Sequence, residues 1–476
     1  MKKLFIGRES EIKLLRDLAD RESAELVSIT GRRRVGKTQL VKQVFEEELD
    51  FHLTGTQSKT MKHQLRNFAF ILGEQTGLGP EQPVPKDWQE AFFTLIYHLK
   101  AQKKSEKLIL FFEELPWLAT PRSGFLEAFS FFWNSWAEQR NILVIICGSA
   151  ASWMINKVVR NKGGLHNRIT QRIQLEPFTL AETKLYLEAR GFRFNIYAFT
   201  ELYMVLGGIP HYLKELNPSE SNAQNIDRIC FNSNGLLYDE FSRLYPALFD
   251  NGERHIAVVR ALASHVNGLT RKQIVEQVAL SEGGSVKRLL EELEFSGFVQ
   301  SYYAFGKQKK GKIYRLVDFY SLFYLRFIER QKIDGAGAWQ AASQMQTYKS
   351  WRGYAFENVG LWHVPQLKAA LGIASVATIA STYYQRADKR GPGVQIDLVL
   401  ERADNCINLC EFKFYNDVIT LTAADLDRLE ERRHRFITRT GTRNVVYVTL
   451  VSPFGIHRGS NRNGVVDQSI EITELL

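Results

Sequence analysis

Cysteine is scarce in this 476-residue chain, and its scarcity excludes a disulfide framework. Cys147, Cys230, Cys406 and Cys410 are too few to staple a chain of this size and fit a reducing compartment. Cys406 and Cys410 share a face of an alternating strand, but without a second pair beside them an apolar packing role is expected rather than zinc. Long apolar runs are missing too. The stretch 142–147 is among the longest and falls far short of the ~20 residues a membrane span needs. Met1-Lys2-Lys3 leads into only Leu4-Phe5-Ile6 before charge returns, so no secretory signal is read. A cytoplasmic protein without a membrane partner is the expectation. Nor is there an acidic excess: 62 Lys+Arg against 52 Asp+Glu leave a net +10, which suits a polyanionic partner or simple solubility. At ~100–200 residues per domain, the length implies about three domains.

What is present is more specific. Gly31-Arg32-Arg33-Arg34-Val35-Gly36-Lys37-Thr38 follows the apolar stretch 26–30 and precedes an amphipathic segment opening at Gln39. This is a phosphate-binding loop: Gly31 and Gly36 allow the turn, backbone N–H groups and a helix N-terminus face a β-phosphate, Lys37 supplies a point charge and Thr38 can hold Mg²⁺. Arg34, Val35 and Gln39 complete the expected contacts. Strand-like runs at 26–30, 51–54, 107–112, 142–147 and 172–175, separated by helix-length stretches, predict a parallel, doubly wound α/β sheet. The run 108–112 ends in Glu113-Glu114. At that position the first acid helps hold Mg²⁺ and the second polarises the water that attacks the γ-phosphate. Glu113 stands where Asp is usual, one methylene longer, so the residues predict binding ahead of fast hydrolysis.

These residues resemble the archaeal-type P-loop ATPases of the STAND class, within the AAA+ lineage. Phe5-Ile6-Gly7-Arg8-Glu9 is similar to the adenine-side motif, which assigns Gly7 and Arg8 to the nucleotide. Glu114-Leu115-Pro116-Trp117-Leu118 looks like the extended Walker B segment, and Ser149 in Cys147-Gly148-Ser149-Ala150 falls at the sensor-1 position. His166-Asn167-Arg168-Ile169-Thr170 resembles the Arg-bearing segment, so Arg168 either senses the γ-phosphate in cis, acts as a finger in trans, or is an ordinary surface arginine. Leu206-Gly207-Gly208-Ile209-Pro210-His211 resembles the lid motif that packs Pro210 near adenine; a plain helix-breaking turn would have the same letters. The resemblance implies ATP and Mg²⁺ as cofactors in an ATPase domain with helical lid over 1–215.

After the polar breaker 217–222, residues 216–350 read as a winged-helix domain with a helical connector. A helix from His255, a helix capped by Thr270 and a helix over 286–295 precede two strand-like runs, 297–302 and 312–316, joined by the basic turn 306–311. Lys287, Arg288 and the turn's lysines suit DNA phosphates, whereas Glu291, Glu292 and Glu294 oppose a groove-facing helix and favour a packing and relay role. The aromatic run 319–328 is expected to be buried.

In 351–476, strand-like runs 395–400 and 407–413 form a hairpin that brings Asp397 toward Glu411 and Lys413. Two converging carboxylates can hold a divalent metal while the lysine stabilises charge or orients water. This resembles the PD-(D/E)XK restriction-endonuclease-like α/β core, with Glu357 matching its upstream helical acid. A Glu–Lys ladder on a solvated strand edge would give the same residues. Arg428, Arg432 and Arg433 on the following helix form a candidate phosphate-contacting face. The resemblances imply an ATP-controlled, Mg²⁺- or Mn²⁺-dependent DNA nuclease that self-associates in response to a protein or nucleic-acid trigger, with a role in defence against foreign DNA. The alternative is a nucleotide-switched, DNA-binding regulator whose nuclease fold is silent.

Overall fold

The structure, a computed structural model, describes residues 5–57, 59–77, 79, 81–102, 106–150, 153–159, 167–249, 251–279, 283–307, 311–330, 337–387 and 392–476. His166 and the turn residues Lys309 and Lys310 lie outside them. The chain divides into two compact units, Met1–Glu176 with Pro246–Asp250, and Pro177–Tyr245 with Asn251–Leu476. Residues 177–215, read with the first domain in the sequence, belong to the second unit.

In the first unit, β1 (Glu25–Thr30), β2 (Phe51–Thr54), β3 (Leu108–Glu113), β4 (Ile142–Cys147) and β5 (Gln171–Gln174) form a wholly parallel sheet in the order β2-β3-β4-β1-β5. All residues of β1 and β4 are buried, which is why they read as unbroken apolar runs rather than alternating ones. Aromatic rings fill the space between β3 and its covering helices. Phe92 lies 5.9 Å from Phe112 and 5.1 Å from Phe132, and Trp88 packs edge-on to Phe125 at 4.8 Å.

The second unit opens with helices Leu180–Ala189, Ile196–Leu206 and Pro210–Leu213. Between the last two, Gly208 lies so close to the chain at Phe178 that a Cβ would stand 1.8 Å from the Phe178 carbonyl oxygen, and the Phe178 N–H donates back to Gly208 at 2.7 Å. The Gly-Gly pair is therefore a close backbone approach as well as a turn. His363 is buried and accepts a hydrogen bond at Nε2 from the Leu180 N–H, 2.9 Å away; burial pushes its pKa down to about 4.

Helices Gly252–Ala263, Arg271–Val278 and Gly284–Phe295 then pack with a small antiparallel sheet of β6 (Leu269–Thr270), β7 (Val299–Tyr303) and β8 (Lys312–Leu316), ordered β6-β8-β7. Thr270 and Gln273 cap the second of these helices reciprocally. The aromatic run forms helix Phe319–Phe323 continued by a π-helical turn, Tyr324–Ile328, with Phe319, Tyr320, Phe323 and Phe327 buried.

Helix Gln346–Trp362 leads into a mixed sheet of β9 (Thr378–Gln385), β10 (Val394–Arg402), β11 (Cys406–Phe412), β12 (Val445–Ser452) and β13 (Gln468–Glu471), ordered β13-β12-β11-β10-β9. The first three strands in chain order run antiparallel and the last three parallel. Helix Ala423–Thr440 covers the sheet, placing Phe436 against Val399 and Ile407. The turn after β7 docks on this sheet: Phe305 lies 4.9 Å from the Phe436 ring, and its N–H donates to the Thr382 carbonyl at 3.3 Å.

Candidate nucleotide site and a second acidic site

At the carboxyl end of β1 the chain turns through Gly31, whose φ of +141° suits only glycine; a Cβ there would stand 2.3 Å from the Leu175 carbonyl oxygen. Gly36, at φ +97°, caps helix Lys37–Phe45, and among the described residues nothing beyond its chain neighbours and its own helix lies within 4 Å of where its Cβ would be. A helix that starts at such a loop presents its N-terminal amides in the arrangement that receives phosphate. Lys37 Nζ is buried and donates to the Gly31 and Arg32 carbonyls at 3.0 Å each; burial depresses its pKa. Arg34 takes a left-handed conformation within the loop, Val35 is buried beneath it and Gln39 occupies the first helical turn.

The two acids at the end of β3 have separate partners. Glu113 accepts hydrogen bonds from the Thr38 hydroxyl, from Thr54 Oγ1 at 2.8 Å and faces His52 Nε2 at 3.2 Å. Burial works to raise its pKa, but the bonds from His52, Thr38 and Thr54 outweigh burial and hold it below the usual carboxylate value. Glu114 sits at φ +49° and accepts from both the Ser149 hydroxyl and the Ser149 N–H, at 3.0 and 3.1 Å. A non-glycine residue held in the left-handed region beside the phosphate loop is a sign of functional constraint. The expected set Lys37, Thr38, Glu113, Glu114 and Ser149 is brought together. His52 and Thr54 were not anticipated, although their i, i+2 spacing on a strand recognised from sequence puts both on one face, and Thr54 pairs in register with Glu113.

The remaining expected residues have partners of their own. Gly7 and Arg8 adopt positive φ before helix Glu9–Ala19, and Arg8 donates to the Glu176 carbonyl at 2.5 Å and pairs with Glu11 at 3.6 Å. Arg168 is not brought to the loop. It precedes β5, where Thr170 bonds Leu26 near the start of β1, roughly 16 Å of strand from Gly31 at ~3.3 Å per residue. That placement opposes cis sensing. Pro210 opens its short helix in the second unit.

The donors fit nucleotide and Mg²⁺: oxygen ligands Thr38 and Glu113 touch, and a lysine and helix amides stand beside them. Residues 5–216 match the family model for an ATPase domain predominantly from Archaea. This segment is an archaeal-type ATPase domain. Uncharacterized protein MJECL04 of Methanocaldococcus jannaschii is 24% identical to the chain over 361 residues, 75% of this chain and 76% of that protein. Among solved structures, the Walker-type ATPase PABY2304 of Pyrococcus abyssi aligns at TM-score 0.49 and 17% identity, covering 68% of this chain and 97% of that one. The Aeropyrum pernix ORC2 protein in ADPNP–ADP complexes aligns at 0.40 and 15%, covering 69% and 95%. The ATPase domain ends within the second unit, at the lid-like helices.

A second acidic site lies between β10 and β11. Asp397 and Glu411 line a cavity of about 350 Å³ with Lys413, Arg432 and Glu357. Lys413 Nζ binds Glu411 Oε1 at 2.7 Å, Arg432 donates to Glu411 Oε2, and the Phe412 N–H donates to Asp397 at 3.1 Å. Burial, then the charges of Glu411 and Glu357, push the Asp397 carboxyl well up; burial also raises Glu411, but Lys413 and Arg432 hold it below its usual value. The expected three-carboxylate metal set is not assembled: among the described residues no group of three or more His, Cys, Asp or Glu is placed to hold a metal. Glu357 turns instead to Arg315 of β8, 2.9 Å away. Asp397 and Glu411 alone have the chemistry for a cation, in competition with the two cations already on Glu411. The expected phosphate face is likewise engaged, with Arg428 on Asp425, Arg432 on Glu411 and Arg433 on Glu430 and Asp467.

Proposed function

We propose that the chain is an ATP-binding, ATP-hydrolysing switch whose output is a DNA-directed nuclease-like domain. The observation that carries the first half is the convergence of Lys37, the Thr38–Glu113 pair and the Ser149-held Glu114 at the carboxyl ends of β1 and β3. Thr38 and Glu113 would hold a Mg²⁺ ion, which would supply neutralisation of the phosphate charge. Lys37 leaves its backbone carbonyls for the β- and γ-phosphates, and Glu114, fixed by Ser149, orients the attacking water. Gly7 and Arg8 lie on the adenine side, Pro210 keeps its role as the proline of the lid motif, and Arg168 acts in trans in a self-associated form.

The middle three helices and hairpin are a winged helix, and 351–476 a PD-(D/E)XK-like core with Asp397, Glu411 and Lys413 as its working residues. The shared cavity supports that reading. The docked turn at Phe305 and the pairs Lys287–Glu291 (3.9 Å) and Arg288–Glu292 (2.8 Å) support a relay role for the winged helix over direct groove contact. Defence against foreign DNA is the setting this design suits.

The test is incubation with ATP, Mg²⁺ or Mn²⁺ and plasmid, using wild type, Lys37→Ala and Lys413→Ala. ATP hydrolysis lost in Lys37→Ala, and cleavage lost in both, is expected. Hydrolysis without cleavage under any condition leaves the nucleotide-switched regulator with a silent nuclease fold as the reading; no hydrolysis and no ATP binding refutes the whole.

A further inference from the structure

Away from both sites, a cavity of about 240 Å³ opens in the second unit between helix Gly252–Ala263, the π-helical turn Tyr324–Ile328 and helix Gln346–Trp362. Its charge is one-sided. Arg260, Arg326 and Arg330 line it against a single carboxylate, Glu329, which is already committed to Arg260 at 2.6 Å. Among the described residues neither Arg326 nor Arg330 has a carboxylate partner.

Two donors point to what is missing from this lining's hydrogen bonding. Arg326 Nε and Trp351 Nε1 are buried and have no hydrogen-bond partner among the described residues, and both side chains line the cavity. A buried donor left unsatisfied costs roughly 1–3 kcal/mol, more for a charged group, so two at one cavity are a standing demand for an acceptor. Arg326 also sits on a π-helical turn, a geometry that recurs at functional sites because it shifts a side chain off the regular helical face. Val266, Leu322 and Leu325 give the lining an apolar part.

We propose that this cavity is a binding site for a small phosphate-bearing ligand, with Arg326 as the principal anion anchor, Trp351 Nε1 as a neutral donor and Arg330 as a second cation. Arginine's planar fork matches phosphate oxygens, and the indole N–H donates without adding charge. The volume lies below the ~300–1,000 Å³ of sites for drug-sized ligands, which limits the organic part to a few carbons against the apolar side chains. The site does not depend on the nucleotide or nuclease reading.

The experiment titrates the full chain carrying Lys37→Ala, which removes the phosphate loop's own binding, with inorganic phosphate, glycerol 3-phosphate and malate by calorimetry. One saturable site for both phosphate probes is expected, weakened at least about tenfold by Arg326→Met and severalfold by Trp351→Phe, which replaces the indole with a smaller aromatic ring that has no N–H to donate. Absence of saturable phosphate binding overturns the proposal, as does unchanged affinity in a folded Arg326→Met protein. Malate binding in preference to both phosphates overturns the ligand assignment. Should Arg326→Met fail to fold, unchanged affinity in Trp351→Phe decides against the site.

Discussion

Replacing Arg315 by methionine should cost the second unit about 3–4 kcal/mol. Arg315 is 2% exposed, donates from Nε to Asn358 at 2.7 Å and from Nη2 to Glu357 at 2.9 Å, and lies 4.3 Å over the Tyr354 ring. Methionine fills much of the volume, so the loss is mainly electrostatic. Removing one partner of a buried ion pair costs roughly 3–5 kcal/mol because the other charge is stranded. Glu357 keeps 17% exposure, which lets water relieve part of that and sets the figure near the lower end. Glu357→Gln should cost less, about 1–2 kcal/mol, because a neutral amide still accepts from Arg315 while Asn358 remains its partner. Arg315→Met/Glu357→Leu should recover part of the single-variant loss. Urea unfolding followed by tryptophan fluorescence measures all three. A loss under about 1 kcal/mol for Arg315→Met, or Glu357→Gln as costly as Arg315→Met, refutes the argument that this pair is a clamp.

Three further outcomes are expected. Thr54→Val with His52→Ala removes two anchors of Glu113 and should raise the Mg²⁺ concentration needed for half-maximal ATP hydrolysis by about 5–150-fold while ATP binding persists, from two hydrogen bonds at roughly 0.5–1.5 kcal/mol each; an unchanged Mg²⁺ requirement contradicts it. Gly208→Ala forces a Cβ into the Phe178 backbone and should lower stability by about 1–3 kcal/mol or more, read by thermal melting. His363 has a pKa depressed to about 4 in the fold, below ~6.5 unfolded, so its contribution is complete above the unfolded value and is lost as pH falls toward the folded one. Wild type should therefore lose melting temperature between neutral pH and pH near 4 more steeply than His363→Asn.

The parts legible in the sequence are those fixed by local spacing. Gly31, Gly36, Lys37 and Thr38 announce a phosphate loop because the loop's geometry is set within eight residues, and β1 and β4 read as strands because burial on both faces leaves no polar interruption. Partner choice across the fold was not legible. Glu357 matched the spacing of a metal-binding acid, yet its carboxylate meets Arg315, which in the sequence is one more basic residue on a hairpin strand. Arg432 read as part of a basic helix face, and only the packing of Ala423–Thr440 on the sheet shows that it serves Glu411. Thr54 became meaningful once the β2–β3 register set it opposite Glu113.

Within the second unit, one helix connects these features. Gln346–Trp362 receives the lid-like helix Ile196–Leu206 through the Tyr348 hydroxyl on Glu201 and through Arg352 on Tyr197 at 3.4 Å. Its far turns hold Arg315 through the Tyr354 carbonyl, Glu357 and Asn358, and Glu357 lines the cavity of Asp397 and Glu411. A packed helix moves as a rigid element, so a shift of the lid helix that keeps the Glu201 contact must carry Glu357 with it or break the Arg315 clamp. Helix Ile196–Leu206 and the acidic cavity therefore share contacts with one helix, without a long chain of intermediates. Were Gln346–Trp362 to take a second position, the Arg315 clamp is a contact that would have to be remade.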